Sequence, residues 1–348
     1  MPSRNDRGME SRQLTSHASS YASAEVADSQ RTLNSPLLEA TASLQGGIFT
    51  AAQAIECGYT RAEIAAAVAT GAWHRLQRGV FTSAAQFGEL DAVARHVAAV
   101  RAVLIRTARP TFASHLSAAV VHGLPLLGPI PGRVCVTHPG TTVTRQHGSV
   151  KHYNGRVNDD EHVLVDGLPT LAIARTVADV ARTATFEQSV AIADAALRRG
   201  LSRAELDATA SSCARWPGAR QLARVSAFAC PEAESPGESL SRIVFATQGL
   251  PAPRLQIDMY DCDGFIGRAD FLWDDAMTIA EFDGRLKYTG ADAGMQVLYD
   301  EKRREDRLRE AGFEVVRFSW ADICNRPAWV AARIRAAFAR HANRSAHR

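Results

Sequence analysis

The segment from Arg268 to Tyr288 constrains this chain more than any other, because it places carboxylates inside runs of apolar residues. Asp270 and Glu281 each interrupt such a run, and Asp283 lies two residues beyond Glu281. Side chains alternate along a strand, so Glu281 and Asp283 are expected on one face. A buried carboxylate is costly unless a cation or a proton offsets its charge. The segment therefore predicts two short strands that gather three carboxylates around a divalent metal ion.

Lys287, four residues after Asp283, is a further candidate in this segment. The chain has only three lysines against 37 arginines, so a lysine here departs from its usual basic residue. The pKa of a lysine shifts readily whereas arginine keeps its proton, and this difference suits a lysine to a hydrolytic site. The alternative is a surface lysine on a flexible stem at the end of a hairpin.

The pattern Asp-x(10)-Glu-x-Asp-Gly across two strands resembles the PD-(D/E)XK nuclease superfamily, and most closely its very-short-patch-repair-like domains. The likeness covers about residues 235–339. The flanking segments fit it, with expected helices at 235–248, 300–311 and 328–339, and expected strands at 255–260 and 313–318. The resemblance implies a C-terminal core with the element order α-β-β-β-α-β.

The resemblance implies that Asp270 and Glu281 are the two metal-ligating acids. Asp283 would stand as a third ligand, near the position where the simplest motif carries its lysine. Lys287 falls close to where related domains place a histidine or another polar residue. This departure from the plain motif leaves the activity more open than the fold.

Glu238 would match the acid that the first helix of the family contributes. A structural alternative is equally specific, because Ser235 as N-cap, Pro236 in the first turn and Glu238 form a capping box without any metal.

The cofactor that these ligands predict is Mg²⁺ or Mn²⁺. Mg²⁺ is a hard ion that binds carboxylates, waters and phosphate oxygens, and it lowers the pKa of an attacking water. Lys287 would steady the negative charge that develops on the phosphate.

The segment from Asp300 to Arg309 predicts a helix rich in both charges. Opposite charges at helix spacing are typical of a solvated face. The helix follows the acidic strands directly, so Lys302, Arg303 and Arg304 are candidate contacts to DNA phosphates.

Residues 46–83 predict two short helices followed by a hairpin. Thr50 is expected to cap the first helix, and Thr60 with Glu63 forms a capping box for the second. The segment Trp73–Phe81 reads as the hairpin wing of a winged helix-turn-helix.

This N-terminal segment resembles the AbiEi antitoxin family, whose members are transcriptional autoregulators in toxin–antitoxin systems. The resemblance rests on Gly58-Tyr59-Thr60, on Gly71, and on the wing from Arg75 to Phe81. It implies DNA as a partner, with a toxin encoded nearby as another. Arg61 is the only basic residue of the expected recognition helix, which predicts weak base readout, and Arg75 and Arg78 would hold phosphates. A small helical module for protein contact is the alternative.

The sequence as a whole predicts a mixed α/β protein with several domains. Residues 1–45 are Ser-rich and read as a disordered tail, 46–84 as the winged helix, 85–234 as a mixed middle region, and 235–342 as the nuclease-like domain. A hydrolase triad from Ser114, His115, His122 and Asp179 is disfavoured, because no nucleophile elbow is present and adjacent helix residues do not face each other.

Composition excludes several other classes. No run of 18 apolar residues or secretion signal appears, and six dispersed cysteines suit a reducing cytoplasm, so a cytoplasmic bacterial protein is expected. The sequence thus favours a DNA-associated, metal-dependent endonuclease guided by the winged helix. The alternatives are a non-catalytic antitoxin-like regulator with a degenerate nuclease fold, and a structural adaptor for a toxin.

Overall fold

The computed structural model describes residues 35–140, 143–284 and 291–346, with side chains from residue 299 onward in the last range. The chain divides into two compact units. One comprises residues up to 113, 130–156 and 166–169, and the other comprises 114–129, 157–165 and residues from 170 onward. None of the helices in the described ranges is both long and apolar enough to cross a membrane.

The N-terminal part of the first unit is winged-helix-like. Its elements are α1 (Pro36–Ser43), β1 (Ile48–Thr50), α2 (Ala51–Glu56), α3 (Arg61–Ala69), β2 (Trp73–Gln77) and β3 (Val80–Ser83). The strands form an antiparallel sheet in the order β1-β3-β2. Capping boxes open both predicted helices, Thr50 with Gln53 and Thr60 with Glu63. Both helices and the hairpin are therefore confirmed.

Helix α1 lies inside the segment 1–45 that we expected to be disordered, so that expectation is wrong for these residues. Ser35 caps the helix through the amide of Leu38, and proline suits the first turn. Leu38 and Ala42 are buried against the winged-helix core. The helix was missed because its stability comes from this packing rather than from a long periodic pattern. Residues 1–34 lie outside the described residues.

The rest of the first unit contains two helices and a sheet. Its elements are α4 (Ala84–Glu89), α5 (Ala92–Leu104), β4 (Phe112–Ala113), β5 (Val134–His138), β6 (Arg145–His147) and β7 (Val150–Asn154). Strand β5 pairs antiparallel with β4 and parallel with β7, and β6 pairs antiparallel with β7.

The second unit begins with a helical layer. It contains α6 (His115–Val121), a 3₁₀ turn (Asp159–Glu161), β8 (His162–Val165), and the helices α7 (Ile173–Thr183), α8 (Phe186–Arg198), α9 (Arg203–Ser212) and α10 (Ala219–Phe228). Strand β9 spans Leu168–Leu171. Helix α8 is buried along most of its length, because its small Ala and Ser side chains admit its neighbours closely.

The C-terminal layer of the second unit has the predicted order α-β-β-β-α-β. Its elements are α11 (Pro236–Thr247), β10 (Arg254–Asp261), β11 (Gly264–Trp273), a 3₁₀ turn (Asp274–Ala276), β12 (Thr278–Asp283), α12 (Ala291–Glu310), β13 (Glu314–Ser319), α13 (Trp320–Asn325) and α14 (Pro327–Ala346). The sheet order is β10-β11-β12-β13, antiparallel except for the parallel pair β12–β13. Phe245, Phe271 and Trp273 form the centre of an aromatic core. The expected mixed α/β architecture is confirmed.

Candidate functional site

The side-chain amide of Gln256 bridges the carboxylates of Glu238 and Asp270. The Nε2 of Gln256 donates to Glu238 Oε2 at 2.9 Å and lies 3.3 Å from Asp270 Oδ1. The backbone amide of Phe282 donates to Asp270 Oδ2 at 2.9 Å. The sequence thus brings together an acid from α11 and an acid from β11, and both acids are at least partly buried. Gln256 was missed because no local signal marks it.

The backbone of Gln256 is itself unusual, with φ of 52° inside strand β10. A non-glycine residue in the left-handed region costs roughly 1–2 kcal/mol, and such strain is concentrated at functional sites. The strained backbone positions the amide that joins the two acids.

Burial raises the pKa of both acids above their ordinary values. For Glu238 the charge of Asp270 adds to burial, while hydrogen bonds from the Glu234 amide and the Ser235 hydroxyl act against it. For Asp270 the charge of Glu281 adds to burial, and the Phe282 amide acts against it. Burial in the fold therefore disfavours the ionised form of both acids relative to a carboxyl group in water.

Glu238 joins the helix cap and the acid cluster at once. Ser235 Oγ accepts from the Glu238 amide at 3.2 Å, as the predicted cap requires. The Glu238 carboxylate, however, accepts from the Glu234 amide rather than from the Ser235 amide, so the capping box is only half formed. The same oxygen, Glu238 Oε2, also accepts from Gln256 Nε2, a contact that a cap alone does not explain.

Glu281 is buried on β12 and is held by two arginines. Arg304 Nη2 lies 2.7 Å from its Oε1, and Arg317 Nε lies 3.1 Å from its Oε2. Neither contact has the angles of a hydrogen bond, so Glu281 Oε1 and Arg317 Nε are buried without a hydrogen-bond partner. Arg304, which the sequence assigned to DNA phosphates, therefore contacts an acid of the site.

Three other predicted residues of the described ranges lie at the surface. Asp283 is exposed at the end of β12, and Lys287 lies outside the described residues. Lys302 and Arg303 are exposed on α12, where a partner can reach them.

The carboxylate oxygens of Asp270 and Glu281 are of the kind that a hard divalent ion binds, and Glu281 Oε1 is buried without a hydrogen-bond partner. Asp270 and Glu281 would be the ligands of such an ion, whereas Asp270, Glu281 and the predicted third ligand Asp283 do not bring their carboxylate oxygens within 4.8 Å of one another. In the described ranges, the only three acidic or sulfur donors within 4.8 Å of one another are those of Asp261, Cys262 and Asp263, in the β10–β11 turn.

The winged helix exposes the basic residues that the sequence singled out. Arg61 opens α3, and Arg75 and Arg78 stand on the wing, all three exposed. The guanidinium of Arg75 lies 5.9 Å from the centre of the Phe81 ring, which positions it above the sheet. The exposed face of α3 consists of alanines at positions 62, 65, 66 and 69. The helix therefore presents few groups that could read base edges.

The four residues of the rejected hydrolase triad do not assemble into one. Ser114 Oγ does lie 3.0 Å from His115 Nδ1, contrary to our expectation, because Ser114 precedes the helix and His115 has a φ of 52°. His122 Nε2 lies 2.7 Å from the Leu171 carbonyl, and Asp179 pairs with Arg175. These groups hold the helical layer together.

Comparison with known proteins identifies the N-terminal domain. Residues 36–84 match the family model described as "Transcriptional regulator, AbiEi antitoxin". The chain therefore carries an AbiEi-type regulator domain, and the matched residues include α1 as well as the predicted segment 46–84.

Two proteins of Mycobacterium tuberculosis resemble a longer part of the chain. Uncharacterized protein MT2308 of strain CDC 1551 / Oshkosh and uncharacterized protein Rv2248 of strain ATCC 25618 / H37Rv are each 32% identical over 182 residues. The match spans 52% of this chain and 64% of each relative. The crystal structure of the RV2827C protein from Mycobacterium tuberculosis is 16% identical, covers 58% of this chain and 79% of its own, and has a TM-score of 0.38.

Proposed function

We propose that this chain is an antitoxin-like transcriptional regulator that contacts DNA through its winged helix. The match of residues 36–84 to the AbiEi family supports this proposal most strongly. The exposed Arg61, Arg75 and Arg78 supply cations for backbone phosphates, whereas the alanine face of α3 offers little for base readout. Such a regulator would act in the bacterial cytoplasm and would bind with a strong dependence on salt.

The test is the affinity for a duplex from the region upstream of its own coding sequence, measured by fluorescence anisotropy in EDTA. Replacing Arg75 and Arg78 by Gln should weaken binding and reduce the slope of log affinity against log salt by about 2 in all, close to 1 for each lost phosphate contact. Arg220→Gln, an exposed arginine of α10, is the matched control and should leave both quantities unchanged. An unchanged slope in the double variant would exclude the wing as the DNA contact.

The AbiEi match also supports a toxin as the protein partner, encoded near this chain. Co-expression with the neighbouring gene product should yield a complex through size-exclusion chromatography. Separate elution of the two proteins at micromolar concentration would remove this part of the proposal.

A second candidate function is metal-dependent cleavage of DNA by the C-terminal layer, which resembles the PD-(D/E)XK superfamily in its element order. The specific observation in its favour is the contact of Glu238 and Asp270 through the strained Gln256, beside the buried Glu281. Mg²⁺ or Mn²⁺ held by Asp270 and Glu281 would supply a Lewis acid for phosphodiester hydrolysis. Lys287 is the proposed cation at the scissile phosphate, and Glu238 with Gln256 would fix the orientation of Asp270.

Nicking of supercoiled plasmid separates the two candidates. The nuclease predicts nicking with Mg²⁺ or Mn²⁺ but not with EDTA, lost in both Asp270→Asn and Glu281→Gln. A folded wild-type protein that binds DNA but never nicks it leaves the regulator as the function.

A further inference from the structure

Glu281 is a buried acid whose counter-charge comes from this chain. It is 8% exposed, and strand β13 places Arg317 directly beside it in the parallel register. Arg304 extends from α12 and contacts the Oε1 atom of Glu281. A carboxylate this deeply buried needs such an offset, since removing one partner of a buried pair leaves an uncompensated charge.

The Arg304 side chain packs directly against Gly267 of β11. A Cβ atom at Gly267 would lie 2.3 Å from Arg304 Nε, so any larger residue there would force the Arg304 side chain to shift. Arg304 Nη2 also donates to the carbonyl of Arg268 at 2.8 Å, which fixes the guanidinium as it reaches Glu281. The backbone around β11 therefore provides a defined place for this cation.

Arg317 has other acids within reach. Its Nη1 lies 3.5 Å from Glu301 and its Nε lies 3.5 Å from Glu305, both on α12, beside the 3.1 Å contact to Glu281. None of these contacts to Nε is a hydrogen bond. A guanidinium shared among three carboxylates can leave one of them and keep the other two.

We propose that Arg304 and Arg317 are an internal counter-ion that a divalent metal ion must displace from Glu281. The inference rests on the second, metal-dependent function. In the free protein the two guanidinium groups neutralise Glu281. When an ion takes the Glu281 oxygens, Arg317 moves fully onto Glu301 and Glu305, while Arg304 keeps its bond to the Arg268 carbonyl. The ion site is thus held closed by the chain's own cations.

Titration of the full-length protein with MnCl₂ by calorimetry tests this directly. Arg317→Met and Arg304→Met keep much of the side-chain length but remove the charge, so each should bind Mn²⁺ at least about tenfold more tightly than wild type. Arg254→Met is the matched control, because Arg254 pairs with the exposed Asp274 and with none of Glu281, Glu301 and Glu305, and its affinity should equal that of wild type. Glu281→Gln should lose the binding.

Equal Mn²⁺ affinity in wild type, Arg304→Met and Arg317→Met would contradict the counter-ion proposal. It would not contradict the proposed metal site. Absence of Mn²⁺ binding in every variant would overturn both the inference and the metal-dependent function. If a Met variant does not fold, Arg317→Lys provides the second measurement. It keeps a cation on a shorter stem, so its Mn²⁺ affinity should rise less than about tenfold, and a full gain would contradict the charge argument.

Discussion

The winged helix and the C-terminal layer handle charge in opposite ways. In the winged helix the aromatic rings of Phe49, Tyr59 and Trp73 fill the core, and the arginines stay at the surface. In the C-terminal layer Glu238 and Glu281 are drawn inside. Surface cations cost the fold little and suit reversible contact with a polyanion. Buried acids weaken the fold unless they are compensated, so their presence indicates a site rather than a surface.

The largest effect should come from removing the centre of the winged-helix core. Trp73→Ala should destabilise the protein by about 3–5 kcal/mol, because Trp73 is 6% exposed and packs against Phe49 and Tyr59. Urea unfolding followed by tryptophan fluorescence and circular dichroism measures this. Trp329→Ala is the control: its ring is 40% exposed on α14 and should cost only about 1 kcal/mol or less. If Trp73→Ala costs no more than Trp329→Ala, Trp73 is not the centre of the winged-helix core.

A smaller loss of stability is expected when a tightly packed glycine of the C-terminal layer is replaced, in contrast to an open glycine of the first unit. A Cβ atom at Gly237 would lie 2.1 Å from the Phe282 ring, so Gly237→Ala should cost about 1–3 kcal/mol. Gly88→Ala on α4 meets nothing within 4 Å and should be neutral or stabilise by about 0.5–1 kcal/mol. Thermal unfolding of both variants decides the point. A neutral Gly237→Ala would show that the C-terminal layer relaxes where the structure packs tightly.

The dependence of stability on pH should have opposite signs in the two regions. Burial raises the pKa of Glu238, so the folded protein holds this proton more tightly than the unfolded chain. Its contribution is therefore fully present below the ordinary carboxyl pKa of about 4.3 and is lost as pH rises through the raised value. The Thr60 amide and hydroxyl lower the pKa of Glu63, so its contribution is present at neutral pH and is lost as pH falls.

The measurement is the melting temperature at pH 3.5 and at pH 7, which lie on either side of the ordinary carboxyl pKa of about 4.3, taken as the difference between wild type and each variant. Glu238→Gln should remove a stabilisation that wild type gains on acidification. Glu63→Gln should remove a stabilisation that wild type has at pH 7 and loses on acidification. Differences of the same sign in both variants would contradict the contrast between the two regions.

Local signals in the sequence predicted much of the fold. The cap residues Thr50 and Thr60 act within one helical turn, so both helices of the winged helix followed from the sequence. Asp270 and Glu281 stand out in the sequence because a carboxylate inside an apolar strand is locally anomalous, and their role as metal ligands stays a prediction. The element order of the C-terminal layer followed from the resemblance and from the strand and helix patterns around these acids.

What the sequence did not predict depends on register and packing. Arg317 reaches Glu281 only because β13 pairs parallel with β12, and Gln256 reaches Asp270 only through a strained backbone. Nothing near Arg317 or Gln256 in the chain marks either contact. Helix α1 was missed for a related reason, since the buried Leu38 anchors it to residues that follow later in the chain.

Hydrogen–deuterium exchange of the full-length protein, with and without duplex DNA in EDTA, tests most directly which region contacts DNA. We predict slower exchange over Arg61–Ala69 and Trp73–Ser83, with little change in the strands of the C-terminal layer. Protection confined to Arg254–Ser319, with none in the wing, would contradict the claim that this chain binds DNA through its winged helix.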